Sequence, residues 1–574
     1  MGKKEEIAEI FYNIASILEI QNVQWKPAAY RKAARSLESL GEDIEDIYKE
    51  KGIKGLEEIP GIGERLAKKI SEYIETGRIK EWEKLKKTLP SGFYEILKIP
   101  GMGVKKAYVL YKKLGIKNIK DLEKAVRSHK ISKSGIFGFK EKTEENILQG
   151  LEFLKKTGKE ERKLLSQVLP LAQQLREQIL GIKGARKADI AGSLRRMKET
   201  IRDVDMLVCC EEKLISNIAR LPVVGRVTAK GSTRASIVTK QGLQVDIRVV
   251  PEESYGSALQ YFTGSKEHSI HLRKICIKKG LKLSEYGLFR GKKRIAGETE
   301  QEIYKALGLQ YPEPELREDR GEIELAMKNK LPKILGYNEV LGDLHVHTNA
   351  SDGNNTLQEL AQYAKVLGRK YLAICDHGGE HLPITNALSV KELERQIKII
   401  DKFNSKSEIF ILKGAEVDIL ANGSLSLPDS ILKKLDIVMA SVHSGFKFPE
   451  EKMTFRVLKA MDNPYISVLG HPTGRIIHER EPYKINLEKI FEKARERQIA
   501  LEINAFPNRL DLNDTNVKLA LDHKCKFAIG TDSHVKEHLS YLVYGIAVAR
   551  RGWATANDVL NAWPKEKLLK WLRR

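Results

Sequence analysis

The sequence predicts a multidomain fold: helical N-terminal domains entered through glycine turns, a mixed α/β domain with a small C-terminal subdomain, and a distorted (β/α)7 barrel. Three observations predict it. A glycine motif recurs within the first 150 residues, acidic residues interrupt two apolar runs between residues 200 and 250, and after residue 340 apolar runs alternate with amphipathic helical stretches. At 574 residues the chain is several times the usual span of about 100 to 200 per domain, so roughly three to five units are expected.

Lys+Arg 100 against Asp+Glu 77 leaves a formal net charge of +23. That balance points to nucleic acid or another anionic surface as partner, with a solubilising surface as the alternative. Cys209, Cys210, Cys276, Cys375 and Cys525 show no CxxC spacing, and the opening MGKKEEIAEIFYNIA carries no apolar signal core. A cytoplasmic protein is expected. No apolar run approaches the ~18 residues of a membrane span, so no membrane partner is expected, and a monomer is the expected state.

The first 150 residues read as short amphipathic helices with an internal repeat, IPGIGERLAKKI at 59–70 and IPGMGVKKAYVL at 99–110. In each copy a Gly-x-Gly pair, Gly61 and Gly63 or Gly101 and Gly103, leads into a helix. The glycines permit a tight turn and bring backbone N–H groups to a phosphate at the helix N-terminus, which holds a nucleic-acid backbone without reading bases. Residues 101–150 hold 12 Lys+Arg and 5 Asp+Glu, so the second copy, with Lys105 beside it, lies in a basic region suited to duplex contact. Two copies in register resemble the helix-hairpin-helix module of DNA repair proteins.

In ADIAGSLRRMKETIRDVDMLVCC, residues 188–210, a strand-like run ends in Gly192-Ser193 and a second opens with Asp203-Val-Asp205. Residues two apart share one face of a strand, so both carboxylates point together toward a Mg²⁺ (or Mn²⁺) ion. A third, Asp246, sits in LQVDIRVV. Three converging carboxylates are too costly to bury without a cation. Two metals held by them would activate a 3′-hydroxyl and neutralise a departing pyrophosphate. Ser193, with backbone N–H groups at Gly192, and the charged fork of Arg196 are placed to hold the triphosphate.

Together with KPAAYRKAARSL and YGSALQYFTGSKEHSIHLR (255–273), these motifs make the chain resemble a family X, DNA polymerase beta-like enzyme of bacteria and archaea along essentially its whole length. The resemblance implies gapped or primer-template DNA and dNTPs as partners. It places Tyr261, Phe262 and Gly264 under the incoming sugar and base and Arg273 against the template side. Ser269 stands where relatives carry an asparagine that reaches the minor-groove edge of the new pair, so that contact departs from the pattern. Lys69 falls at the position of a Schiff-base lysine that removes a 5′-deoxyribose phosphate, a role set against simple phosphate contact with Arg65 and Lys68.

The stretch 312–337 is charged and punctuated by Pro312, Pro314 and Pro332, and reads as a linker with a helix in it. Beyond it, seven apolar runs carry polar residues at their C-terminal ends: GDLHVH, YLAICDH, FILKGAEVDI, IVMASVH, ISVLGH, LEINA and FAIGTDSH. Ten of the 13 histidines lie after residue 340. Such a pattern describes a parallel barrel with a metal site at its mouth. The set His345, His347, Asp352, His377, Glu416, His443, His471, Asp532 and His534 resembles the ligand list of the PHP (polymerase and histidinol phosphatase) family. The resemblance implies three divalent metals, Mn²⁺, Zn²⁺ or Fe²⁺. It puts His345, His347, Glu416 and Asp532 on one ion, Asp352, His377 and His471 on a second, and Glu416, His443 and His534 on a third.

These readings divide the chain into 1–90 (helical, first hairpin), 91–155 (helical, second hairpin), 156–252 (nucleotidyltransferase palm), 253–315 (subdomain over the nascent base pair), 316–338 (linker) and 339–574 (PHP domain). The expected function is template-dependent filling of short gaps in DNA repair. Joined to it is a metal-dependent 3′–5′ exonuclease, 3′-phosphatase or phosphodiesterase, or abasic-site endonuclease. The alternatives are a non-templated nucleotidyltransferase carrying a small-molecule phosphatase of the histidinol-phosphate type, and a DNA-binding scaffold with inactive sites.

Overall fold

A computed structural model describes residues 3–20, 23–39, 44–59, 61–86, 92–93, 96, 102, 104–136, 138–141, 143–145, 147–148, 151, 162–210, 214–231, 233–379 and 386–573. The chain divides into two compact units, Met1–Glu161 and Arg162–Arg574.

In the first unit, helices Lys3–Ile20, Lys26–Ser39 and Glu64–Thr76 bury Ile7, Phe11, Ala33, Leu37, Ala67 and Ile70 in one core. Phe11 meets Tyr30 edge to face, with ring centroids 5.2 Å apart. A second core around Phe93, Leu110, Leu122 and Val126 lies under helices Val104–Leu114 and Ile119–Arg127. Asn118 caps the latter, its side chain accepting from the Asp121 backbone.

The second unit opens with helix Leu165–Leu180 on a five-stranded sheet. Its strands are β1 (Ala185–Ile190), β2 (Val204–Cys210), β3 (Val224–Lys230), β4 (Arg234–Thr239) and β5 (Gln244–Val249), in the order β1-β2-β5-β4-β3. Only the β2–β5 pair is parallel. A small subdomain follows, built from helices Tyr255–Thr263 and Lys266–Lys278 and an antiparallel sheet of β6 (Lys282–Ser284), β7 (Gly287–Arg290) and β8 (Lys293–Ala296).

The stretch expected to be a linker is a packed element, which corrects the sequence reading. Arg317 and Glu322 are 0% exposed and Leu316 and Ile323 1%. Arg317 pairs with Glu300 at 2.5 Å, Glu322 accepts from His268 at 2.6 Å, and Glu315 pairs with Arg550 at 2.8 Å. Charge and proline punctuation marked a spacer because the partners of these charges lie far away in sequence.

From residue 342 the chain forms a parallel barrel. Its strands β9 (Gly342–Val346), β10 (Tyr371–Ile374), β11 (Phe410–Asp418), β12 (Ile437–Ser441), β13 (Val468–Leu469), β14 (Ala500–Asn504) and β15 (Phe527–Gly530) neighbour one another in chain order. A parallel bridge between Val346 and Ser533 and the bond from His347 N–H to the Ser533 carbonyl at 2.9 Å bring the last strand back to the first. Residues of β9, β12 and β14 are buried on both faces, as expected where side chains fill the barrel and helices cover it.

Candidate active sites

Two of the three palm carboxylates lie on paired strands, whereas Asp203, expected to share a strand with Asp205, lies just before it. Asp205 on β2 is directly opposite Asp246 on β5. Burial, together with Asp203 and Asp246, pushes the Asp205 carboxyl up to about 6 against the pull of Arg248 and Arg196. Asp246 accepts from Ser236 Oγ and, at 3.3 Å, from Gln244. Gly192 has φ 63°, and a Cβ there would lie 2.5 Å from Asp205 Oδ2. Glycine is thus required both for the turn and for the approach of the carboxylate.

A cavity of about 790 Å³ lies over Asp203 and Asp205 and is lined also by Gly192, Ser193, Arg196, Tyr261, Phe262, Gly264, Ser269 and Arg273 among others. Tyr261 and Phe262 meet edge to face at 5.1 Å, and the Arg248 guanidinium covers Phe262 at 4.5 Å. Arg273 Nε donates to the Ser269 carbonyl at 3.2 Å, while the buried Ser269 hydroxyl has no partner among the described residues. The Arg196 fork is already engaged: Nε donates to Glu318 at 3.0 Å and Nη1 to the Thr263 carbonyl.

In the first unit, Gly61 has φ 89° and Gly63 caps helix Glu64–Thr76 without a side-chain acceptor, so its N-terminal N–H groups are available to an anion. A cleft of about 1100 Å³ there is lined by Trp25, Lys26, Tyr30, Gly61, Gly63, Arg65, Lys68 and Lys69. The Lys69 ammonium pairs with Glu81 at 2.5 Å, and Tyr30 donates to the same carboxylate at 2.9 Å. Gly101 and Gly103, and the side chain of Lys105, lie outside the described residues.

At the barrel mouth the histidines and carboxylates form one cluster. Their donor atoms approach within 4.8 Å of one another in three sets: His347, Asp352, His377 and His534; His345, His347 and Asp532; His377, Glu416 and His443. His471 Nε2 lies 3.1 Å from Glu416. The structure thus sets His534 beside Asp352 and His471 beside Glu416, where the resemblance grouped His471 with Asp352 and His534 with Glu416. His534 meets Asp352 at 3.0 Å because β15 returns beside β9, where Asn354 N–H reaches the His534 carbonyl at 2.8 Å. His471 follows β13, two strands from β11, and so reaches Glu416.

Further residues orient the ligands, and sequence reading assigned them no role. Glu502 accepts from His345 Nδ1 at 2.6 Å and from the His471 backbone N–H at 2.6 Å. Asp418 accepts from His443 Nδ1, and the Asp532 carbonyl accepts from His534 Nδ1 at 2.8 Å. Each bond leaves the opposite ring nitrogen for a metal. Asp418 had a signal, since it lies two residues from Glu416 on the same strand face. Asn504 donates to Asp532 at 3.2 Å, and Arg509 lies 3.5 Å from it. Although burial opposes it, Glu416 and Asp418 push His443 up to about 10, and Asp352 and Asp532 push His534 up to about 9. The cluster favours bound positive charge, and its imidazole and carboxylate donors fit divalent metals.

Comparison with known families places these features. Residues 2–79 match the helix-hairpin-helix domain, 93–152 the SAM-like helix-hairpin-helix tandem, 258–318 the DNA polymerase beta thumb and 343–506 the PHP domain. The chain is 35% identical over 583 residues, 100% of its own length and 99% of the relative's, to the DNA polymerase/3′–5′ exonuclease PolX of Bacillus subtilis (strain 168). It is also 36% identical over 210 residues, 34% of its length and 78% of the relative's, to a probable phosphatase of Clostridium novyi (strain NT). A probable phosphatase of Thermoanaerobacter sp. (strain X514) is 32% identical over 234 residues, 38% of this chain and 89% of that one.

Proposed function

The chain belongs to the family X DNA polymerases that carry a C-terminal PHP domain, and from that premise we propose that it fills short gaps in DNA at the palm and trims or unblocks 3′ ends at the barrel. The family's combination of polymerase and 3′–5′ exonuclease is the function of the chain, and DNA is its partner. The finer assignments rest on the two sites.

The observation that carries the reading is the register setting Asp205 against Asp246, with Asp205 lining the cavity that Tyr261 and Gly264 also line. Mg²⁺ or Mn²⁺ at the palm and Mn²⁺, Zn²⁺ or Fe²⁺ at the barrel supply, when bound, the charge neutralisation and the acidification of an attacking oxygen that phosphoryl transfer needs. Asp203, Asp205 and Asp246 would hold the palm ions. Ser193, the N–H groups after Gly192 and the Arg196 fork hold the triphosphate of a dNTP. Tyr261, Phe262 and Gly264 carry its sugar and base, and Arg273 faces the template.

At the barrel, His345, His347, Asp352, His377, Glu416, His443, His471, Asp532 and His534 would hold the metals. Glu502 and Asp418 fix the imidazole rings, and Arg509 beside Asp532 receives a phosphate oxygen. Gly61, Gly63 and the second hairpin grip the phosphodiester backbone. Lys69 takes a 5′ phosphate in the cleft it shares with Tyr30, and lyase chemistry at its amine requires the Glu81 pair to part.

Primer extension with Mg²⁺ on gapped, templated and untemplated DNA tests the transfer half. Template-directed addition strongest on gaps is expected, and addition without a template would replace the gap-filling reading. Release of nucleotides from 3′ ends with Mn²⁺ tests the hydrolase half. Turnover of histidinol phosphate with DNA ends left intact would assign the barrel to small molecules.

A further inference from the structure

The cavity over the palm carboxylates is walled in part by the barrel: Asp514, Val548 and Arg551 line it together with Ser193, Arg196 and Asp205. Arg551 closes helix Leu542–Arg551, and its side chain is 4% exposed. Nη1 donates to the backbone carbonyl of Arg196 at 2.6 Å and to Glu318 at 3.0 Å, and Nη2 donates to Asp514 at 2.7 Å. An arginine this buried persists only where carboxylates and carbonyls take its N–H groups.

Glu318 accepts from Arg196 Nε at 3.0 Å through the oxygen that Arg551 also reaches, and the Lys198 ammonium stands 3.6 Å from its other oxygen. Arg320 donates to Asp514 at 3.2 Å and to the Arg551 carbonyl at 2.9 Å. Two carboxylates thus face Arg196, Arg320, Arg551 and Lys198, and the group keeps surplus positive charge on the wall of the cavity. Burial would raise the Glu318 carboxyl, but Arg551, Arg196 and Lys198 outweigh it and hold it low.

We propose that Arg551, a residue of the hydrolase barrel, is a positioning residue of the nucleotidyl-transfer site, fixing the Arg196 backbone directly and the Arg196 guanidinium through Glu318. The inference rests on the reading of the palm cavity as the nucleotide site. With Arg551 in place, Glu318 is neutralised from behind and steadies Arg196 without competing fully with a phosphate for it. Without Arg551, that carboxylate draws on Arg196 and Lys198 alone, and the turn from Gly192 to Arg196 loses the donor on its last carbonyl. The fork must then be pulled from Glu318 each time a triphosphate binds, a cost paid in nucleotide affinity more than in the chemical step.

Single-nucleotide gap filling by the full chain tests this. Arg551→Gln should raise the KM for dNTP about tenfold with kcat changed less than about threefold, and should leave Mn²⁺-dependent release from 3′ ends at its original rate. Arg551→Lys, which keeps the charge and folds if the glutamine variant does not, should recover part of the KM. The KM rise of Arg551→Gln combined with Glu318→Gln should fall short of the product of the single effects, because both act through one contact. Arg550→Gln is the control. Arg550 lies on the same helix and pairs with Glu315 and the Leu335 carbonyl, so it should lower the melting temperature without moving the KM. An unchanged KM in both Arg551 variants, or an equal rise in Arg550→Gln, overturns the positioning role. If the unsubstituted chain adds no nucleotide at all, the reading of the cavity is what fails.

Discussion

His345 donates its Nδ1 proton to Glu502 at 2.6 Å, and the other Glu502 oxygen takes the backbone N–H of His471, so one carboxylate sets two ligands of the barrel cluster. Replacing it by Gln keeps the shape but removes the charge that fixes the His345 tautomer. Glu502→Gln should weaken Mn²⁺ binding by about 10- to 100-fold, as read by calorimetric titration of the metal-free protein. Release from 3′ ends should fall with it while gap filling persists. Unaltered Mn²⁺ affinity would remove Glu502 from the metal site.

Glu300 is buried between two arginines, Arg195 at 2.7 Å and Arg317 at 2.5 Å. Burial alone would raise its carboxyl, but Arg317 and Arg195 bring it down to about 2. A carboxyl depressed on folding contributes stability that is complete above its unfolded value of about 4.3 and is lost as pH falls toward the folded value. The chain should therefore lose stability between about pH 4.3 and pH 2. Glu300→Gln should flatten that dependence and cost about 3 to 5 kcal/mol at neutral pH, because the buried Arg317 guanidinium and the half-buried Arg195 lose their counter-charge. Urea denaturation followed across that range measures both effects.

The barrel was legible because parallel strands buried on both faces leave few reasons for a polar residue other than a site at their ends. His345, His377, His443 and Asp532 interrupt apolar runs for that reason. Asp205 and Asp246 were legible as carboxylates set within apolar strand runs, whereas the strand period that paired Asp203 with Asp205 began one residue too early. The neighbours of His471 and His534 were not legible, since they depend on which strand closes against β9. Nor were Glu318 and Arg551, which gain meaning only when residues 233 positions apart meet. The segment around Arg317 misled through its prolines and charges, whose partners lie in other elements.

At the first hairpin, Gly61 has φ 89°, and an added Cβ would lie 2.9 Å from the Lys32 side chain. Valine is strained in that conformation and would push against the exposed Lys32 side chain. Gly61→Val should weaken binding of duplex DNA by about tenfold without sequence bias, because the N–H groups at Gly63 and beyond grip phosphates and not bases. Fluorescence anisotropy across a salt titration measures this, and equal affinity at every salt concentration would remove the hairpin from the DNA interface.

The Asp205 carboxyl, raised to about 6 by burial and by Asp203 and Asp246, makes proton and cation compete for one site. Above about pH 6 the carboxylate is charged and repelled by its neighbours, so a divalent cation relieves the repulsion. Below that value a proton relieves it instead. The Mg²⁺ concentration giving half-maximal gap filling should therefore rise as pH falls from 7 to 5, with the maximal rate at saturating Mg²⁺ changing less. Asp205→Ala should abolish nucleotide addition, since the remaining carboxylates no longer converge from both strands, and should leave release from 3′ ends intact. A Mg²⁺ requirement constant across pH 5 to 7 would mean that Asp205 does not bind the cation, and near-normal gap filling by Asp205→Ala would move the transfer centre away from the β2–β5 pair.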